Sequence, residues 1–303
     1  MSKLIWVFML FCSVLTSAQI DIYVLGTTQD GGAPHIGCEK LCCADLWQNP
    51  NQDLMVVSLG LVDVQAKKNY LIEATPDFPE QLERLNKVSG LNQRLPDGIF
   101  LTHAHIGHYT GLMYLGREAL GASLMKVYAM PRMLDFLTNN GPWSQLVELK
   151  NIVIEQIEKE TPVVLSKYLT VVPIQVPHRD EYSETVGFII KGSEKSLLFI
   201  PDIDKWDKWE VDITSLIEEV DYTFLDATFF EDGEINRDME ELPHPFVAES
   251  MGLFDSLPEA ERNKVWFIHM NHTNPLLNPN SKESLFVEQK GYHIARVGDI
   301  IRL

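Results

Sequence analysis

Short apolar runs, each stopped by a polar or turn-forming residue, recur along most of the chain. Asp21 to Leu25 reads as a strand. Met55 to Val64 and Asn69 to Ile72 alternate like a hairpin around the Lys67-Lys68-Asn69 turn. Phe78 to Val88 has helical spacing. Gly98 to Leu101 is apolar again, followed by a helix-like segment from Tyr109 to about Leu120, a strand at Val127 to Met130 and a helix opening on Pro131. The second half repeats the alternation with Leu169 to Val176, Val186 to Ile190, Ser196 to Ile200, Tyr222 to Leu225 and Val265 to Ile268. So many strands exceed one sheet, and helices follow groups of them. The pattern predicts an α/β fold, a four-layer αββα sandwich with two sheets face to face and helices outside. No linker divides residues 19–303, which read as one domain; Glu148 to Val164 is the nearest thing to a seam between halves.

The first residues stand apart from this pattern. Lys3, the apolar run Leu4 to Leu15 and the small residues Thr16-Ser17-Ala18 predict a signal peptide over 1–18, cleaved before Gln19. An exported chain follows, secreted or periplasmic, without a membrane span, since that apolar run is too short. The formal net charge of -18 repels phosphate backbones and argues against nucleic-acid binding, leaving a small molecule as the expected partner. No feature of the chain sets an oligomeric state. After cleavage Cys38, Cys42 and Cys43 remain. An odd number crowded together is a poor disulfide framework, and a metal clip is the sharper reading.

The chemistry concentrates at Leu101-Thr-His103-Ala-His105-Ile-Gly107-His108, where a strand end delivers three histidines. Side chains two apart on extended chain point the same way, so His103 and His105 can hold one ion while His108 faces a second position. Imidazole suits zinc, iron, copper or nickel. Other apolar strands also end on ligand types: Pro177-His178, Pro201-Asp202, Asp226 and His269. Donors at strand ends are held in the fixed geometry that a metal site needs. The glycine-rich loop Gly26 to His35 predicts a tight turn that brings Gln29 and Asp30 close to the site.

His103-Ala-His105-Ile-Gly107-His108 resembles the His-x-His-x-Asp-His signature of the metallo-β-lactamase superfamily, with Gly107 where the Asp is expected. The resemblance implies the same αββα fold. It also implies a first metal position at His103, His105, His178 and Asp202, and a second at His108, His269 and Asp202 that lacks its Asp. His269-Met-Asn-His272 is similar to a subgroup, the phosphodiesterase of phosphonate breakdown, which implies a structural zinc at Cys38, Cys42, Cys43 and His272. The Cys-x₃-Cys-Cys spacing departs from that subgroup's Cys-x-Cys-x₂-Cys, and His35 competes as fourth ligand. Leu25-Gly-Thr-Thr-Gln-Asp-Gly-Gly, Phe224-Leu-Asp226-Ala-Thr-Phe-Phe230, Leu242-Pro-His244-Pro and Phe267-Ile-His269-Met-Asn-His-Thr-Asn-Pro275 look like blocks of coenzyme PQQ synthesis protein B, a further branch. That branch tends to lose the first two histidines of the central motif and keep its Asp-His pair, the reverse of this chain.

The expected activity is an exported metal-dependent hydrolase whose metal-bound hydroxide attacks an ester, lactone or phosphodiester. Asp202 would hold metal and water, and His108 with His269 would bind a weaker second ion or stabilise the leaving group. One or two catalytic zinc ions are expected, iron or manganese being alternatives, besides the structural zinc. Asp226 and His244 are further pocket candidates. Trp206, Trp209, Phe229 and Phe230 are candidates for core or pocket wall. Two other readings stand beside this one: an iron-dependent oxygenase like the PQQ branch, and a non-catalytic metal- or ligand-binding module.

Overall fold

The computed structural model describes residues 19–239 and 241–303; the signal peptide expected at 1–18 lies outside them. Among the described residues, fourteen strands form two sheets. The first contains β1 (Ile20–Gly26), β2 (Ser58–Asp63), β3 (Lys68–Ile72), β4 (Gly98–Phe100), β5 (Met125–Ala129) and β6 (Ile152–Gln156). The second contains β7 (Val163–Val164), β8 (Thr170–Gln175), β9 (Val186–Lys191), β10 (Ser196–Ile200), β11 (Tyr222–Asp226), β12 (Val265–Ile268) and β13 (His293–Ile294), and β14 (Ile300–Arg302) returns to the first. Their spatial orders are β14-β1-β2-β3-β4-β5-β6 and β13-β12-β11-β10-β9-β8-β7. The chain crosses from β6 to β7 inside the stretch read as a seam, and each of those strands lies at the edge of its sheet.

Each sheet buries both faces, which is why the strands read as apolar runs rather than as a polar alternation. On β10, Leu197 and Phe199 point into the layer between the sheets, while Leu198 and Ile200 point to the outer helices. On β4, Phe100 faces inward with Phe188 of β9 and Phe224 of β11, and Ile99 faces outward. Helices Phe78–Ser89 and Pro131–Asn139 cover the first sheet through Phe78, Leu85, Met133 and Leu137. Helices Ile213–Glu219 and Val247–Phe254 cover the second through Ile213, Ile217, Val247, Met251 and Phe254. The result is the expected αββα sandwich. No described helix is long and apolar enough to cross a membrane.

One predicted element differs. In place of a helix running to about Leu120, Ile106–Tyr109 is one α-helical turn and Thr110–Leu115 a 3₁₀ helix. The α ladder is interrupted because its backbone groups bond elsewhere: Ala74 N–H donates to His108 C=O at 3.0 Å, and Gly111 N–H donates to Ala74 C=O at 2.8 Å. Gly111 permits this approach, since a Cβ there would lie 2.1 Å from Thr75 O. The helix is shortened, and His108 is thereby tied to the segment following β3.

β3 runs parallel to β4, and β10, β11 and β12 are mutually parallel. Their C-terminal ends therefore open on one edge of each sheet, and the residues that follow them converge there.

Candidate metal centre

His103 and His105 follow β4, His178 follows β8, Asp202 follows β10, Asp226 ends β11 and His269 follows β12. Asp202 is the hub. Its carboxylate lies 3.3 Å from His103 Nε2, 3.9 Å from His105 Nδ1, 3.2 Å from His178 Nε2 and 3.8 Å from His108 Nε2. Both expected groupings are thus brought together around it. His103, His105, His178 and Asp202 form one set of potential donors, with ligand atoms all within 4.8 Å of one another.

His103 Nε2, His105 Nδ1, His108 Nε2, His178 Nε2, His269 Nε2 and Asp202 Oδ1 are buried and have no hydrogen-bond partner in the protein. Buried polar atoms are normally paired, and leaving each unpaired costs about 1–3 kcal/mol. Convergent lone pairs without donors are what a cation satisfies, and this donor set of imidazoles and a carboxylate fits zinc. The opposite ring nitrogens are held from behind. Thr102 Oγ1 lies 2.9 Å from His103 Nδ1, Thr228 Oγ1 lies 2.9 Å from His269 Nδ1, and Glu181 Oε2 lies 3.2 Å from His105 Nε2. Such contacts fix ring orientation and tautomer.

The second position is more fully built than the motif implies. Asp30, His108 and His269 form a further donor set. Asp30 comes from the glycine-rich loop after β1, which the sequence places near the site without a role. Glu73 has no place among the site residues that the sequence singles out. Its carboxylate, wholly buried, faces His108 Nδ1 at 3.2 Å. Glu73 and His269 both hold positive φ, 77° and 66°, backbone that non-glycine residues seldom adopt outside constrained sites. The signal available for Glu73 was its place at the end of β3, since an ionisable residue there abuts the histidine strand.

Asp226 and His244 belong to the same centre. His244 Nδ1 lies 2.9 Å from Asp226 Oδ2 and 3.2 Å from Asp202 Oδ1. Asp226 also accepts from Thr228 N–H at 2.8 Å, Thr228 Oγ1 at 2.7 Å and Ile203 N–H at 3.2 Å. Phe229 stands beside the His244 ring, centroids 6.0 Å apart, whereas Trp206, Trp209 and Phe230 join the core under the outer helices of the second sheet.

The charges are strongly coupled. Burial raises the Asp202 carboxyl, but His178, His244 and His269 outweigh it and hold it well below the usual range. Burial, joined by the charge of His108, keeps His103 well below an ordinary histidine, leaving its lone pair free. Burial also opposes charge on His108, yet Glu73 and Asp30 prevail and push it well up. His244 is likewise raised to about 10, with Asp226 and Asp202 overcoming burial. A metal ion would therefore have to displace protons from the second position.

Away from this centre, Cys38, Cys42, Cys43 and His272 form another donor set. Cys42 and Cys43 lie in the first turn of helix Leu41–Gln48, where burial pushes both thiols up, so a metal bound there would have to displace their protons. The Cys38–Cys42 and Cys42–Cys43 Sγ atoms are each 3.9 Å apart. That spacing suits about 2.3 Å bonds to a tetrahedral zinc, and the three cysteines are free. His272 Nδ1 is bonded to Asn271 Oδ1 at 3.0 Å, which leaves Nε2 for a metal. His35, the competing ligand, instead stacks on His272 with centroids 4.5 Å apart. Burial, with His35 and Lys40, lowers His272 to about 4, so it is neutral at pH 7.

Comparison with known proteins agrees with this architecture. The family described as the beta-lactamase superfamily domain matches residues 68–270. Coenzyme PQQ synthesis protein B of Methylorubrum extorquens (strain PA1) is 25% identical over 302 residues, covering 92% of this chain and 98% of its own. The protein of that name from Xanthomonas axonopodis pv. citri (strain 306) is also 25% identical, covering 91% of this chain and 98% of its own. Among solved structures, Zn(2+)-bound PqqB from Methylobacterium extorquens has a TM-score of 0.74 at 21% identity, with 93% of this chain and 100% of that chain covered. A diphosphatase from the PhnP family has a TM-score of 0.66 at 21% identity, with 94% and 97% covered. These structural likenesses speak for the fold. With the family match spanning β3 to the residue after His269, the chain belongs to the metallo-β-lactamase superfamily.

Proposed function

We propose that this chain is an exported metal-dependent hydrolase acting on an ester, lactone or phosphodiester. Its catalytic ion would be held by His103, His105, His178 and Asp202, with a second position at His108, His269 and the shared Asp202. The observation that carries the reading is the ring of buried, inward-facing nitrogens around Asp202 that have no partner in the protein. Zinc bound there would polarise a carbonyl or phosphoryl oxygen and lower the pKa of a coordinated water to about 7.

The remaining roles belong to the chain. Among the histidines of the centre, His105 and His244 keep some exposed side-chain surface, 12% and 9%, so the substrate approaches on their side. Asp202, common to two of the donor sets, would help hold the ion and orient the nucleophilic water. His244, tied to Asp226, holds a proton at the mouth, placed to reach the leaving oxygen. Asp226 and Thr228 keep that ring turned toward Asp202. Cys38, Cys42, Cys43 and His272 would hold a separate structural zinc that clamps the N-terminal loop to the segment after β12.

The test is a screen of aryl esters, lactones and aryl phosphodiesters with the zinc-loaded protein and its His103→Ala variant. Hydrolysis lost in the variant is expected, and activity unchanged by it would sink the reading. The near full-length likeness to coenzyme PQQ synthesis protein B supports a second reading, an iron-dependent oxygenase. Oxygen consumption after anaerobic iron loading separates the two.

A further inference from the structure

Gly107 interrupts the His-x-His-x-Asp-His pattern, and the structure shows what fills the space. A Cβ at Gly107 would lie 2.3 Å from Asp30 Oδ1 and 2.6 Å from Asp30 Cα. No side chain fits at 107 unless the Asp30 carboxylate and its backbone both shift. Asp30 Oδ1 lies 3.0 Å from His108 Nε2 and 3.8 Å from His269 Nε2. All three atoms are buried with no hydrogen-bond partner outside the centre itself, and both histidine side chains are fully enclosed. The loop is also registered to the centre through its backbone. Gln29 N–H donates to Met270 C=O at 2.9 Å and Met270 N–H donates to Thr27 C=O at 2.8 Å, linking Asp30's neighbour to His269's neighbour.

We propose that Asp30 is the carboxylate ligand of the second metal position, relocated from the motif to the glycine-rich loop, and that Gly107 is its steric complement rather than a lost ligand. This rests on the reading of the histidine cluster as a metal centre. In sequence the motif lacks a carboxylate; in space Asp30, His108, His269 and Asp202 supply four protein residues to the second position. The two residues are a pair: Asp30 needs Gly107 for room, and Gly107 without Asp30 leaves the position one donor short.

Zinc per chain, counted by mass spectrometry after equilibration with zinc and desalting, tests the pair. The full chain is compared with Asp30→Asn, Gly107→Asp and His103→Ala. Asp30→Asn keeps the shape of the side chain, so the circular dichroism of the metal-stripped protein should match wild type. It should hold one zinc fewer per chain, with affinity at the second position reduced on the order of 100-fold or more, beyond the loss typical of outer-shell partners. Gly107→Asp should also lose that ion, because its side chain meets both the carboxylate and the Cα of Asp30. A wild-type count and affinity in Asp30→Asn would overturn the proposal. If His103→Ala lowers the count and Asp30→Asn does not, this inference alone fails. If neither lowers it, the metal-centre reading fails with it.

Discussion

Replacing Asp226 by Asn removes one negative charge from the centre while keeping the volume of the side chain. Asp226 is fully buried and accepts from Thr228 N–H, Thr228 Oγ1, Ile203 N–H and His244 Nδ1. An amide offers one acceptor oxygen where the carboxylate offers two. In the metal-free protein His244 is raised from 6.5 to about 10, which corresponds to roughly 5 kcal/mol. Asp226 and Asp202 share that effect, so removing Asp226 should take away about half of it, roughly 2–3 kcal/mol. The lost charge-assisted hydrogen bonds bring the expected destabilisation to about 3–5 kcal/mol. The sign of its pH dependence follows from His244. A group whose folded pKa is raised stabilises fully below its unfolded value and loses that contribution as pH rises through the folded one. The gap between wild type and Asp226→Asn should therefore be largest just below pH 6.5 and shrink as pH rises toward 10. Asp226 itself is lowered, so its own contribution is present above the ordinary carboxylate range and fades in acid. Denaturant unfolding of both metal-stripped proteins, followed by circular dichroism from pH 5 to 10, measures the gap. A gap that stays constant across that range, or no gap at pH 6.5, would refute the electrostatic argument.

His103→Ala should lower both zinc content and any hydrolytic rate, the rate by more than about 100-fold, because it removes a donor rather than a supporting contact. Thr228→Val withdraws the hydroxyl that meets His269, His244 and Asp226. Metal affinity should fall about 10–100-fold with little loss of secondary structure, as read by chelator competition. Cys38→Ser should remove one zinc per chain without changing the affinity of the histidine centre. In wild type that zinc should bind more tightly as pH rises. Cys43 is pushed up to about 12 by burial and its Cys38 contact, so binding must expel a thiol proton. Equal chelator competition at pH 6.5 and 8.5 would count against thiolate ligation.

Much of this molecule was readable from local pattern. Apolar runs ending in His178, Asp202, Asp226 and His269 mark strands whose C-terminal ends carry donors, because period and punctuation are local properties of the chain. His103, His105 and His108 announce a metal by type and spacing alone. What only the tertiary structure decided are relations between segments far apart in sequence. Glu73 meets His108 because parallel pairing places the end of β3 beside the end of β4. The helix after the histidines stops early because Ala74 takes its backbone hydrogen bonds. His272 rather than His35 joins the thiols because the fold brings the segment after β12 against the N-terminal loop. Asp30 shows the limit most clearly. In sequence the motif has a hole at Gly107, and only the fold shows that a carboxylate from a different loop occupies it. Sequence specifies which donors a chain carries; excluded volume and strand register decide which of them share a site.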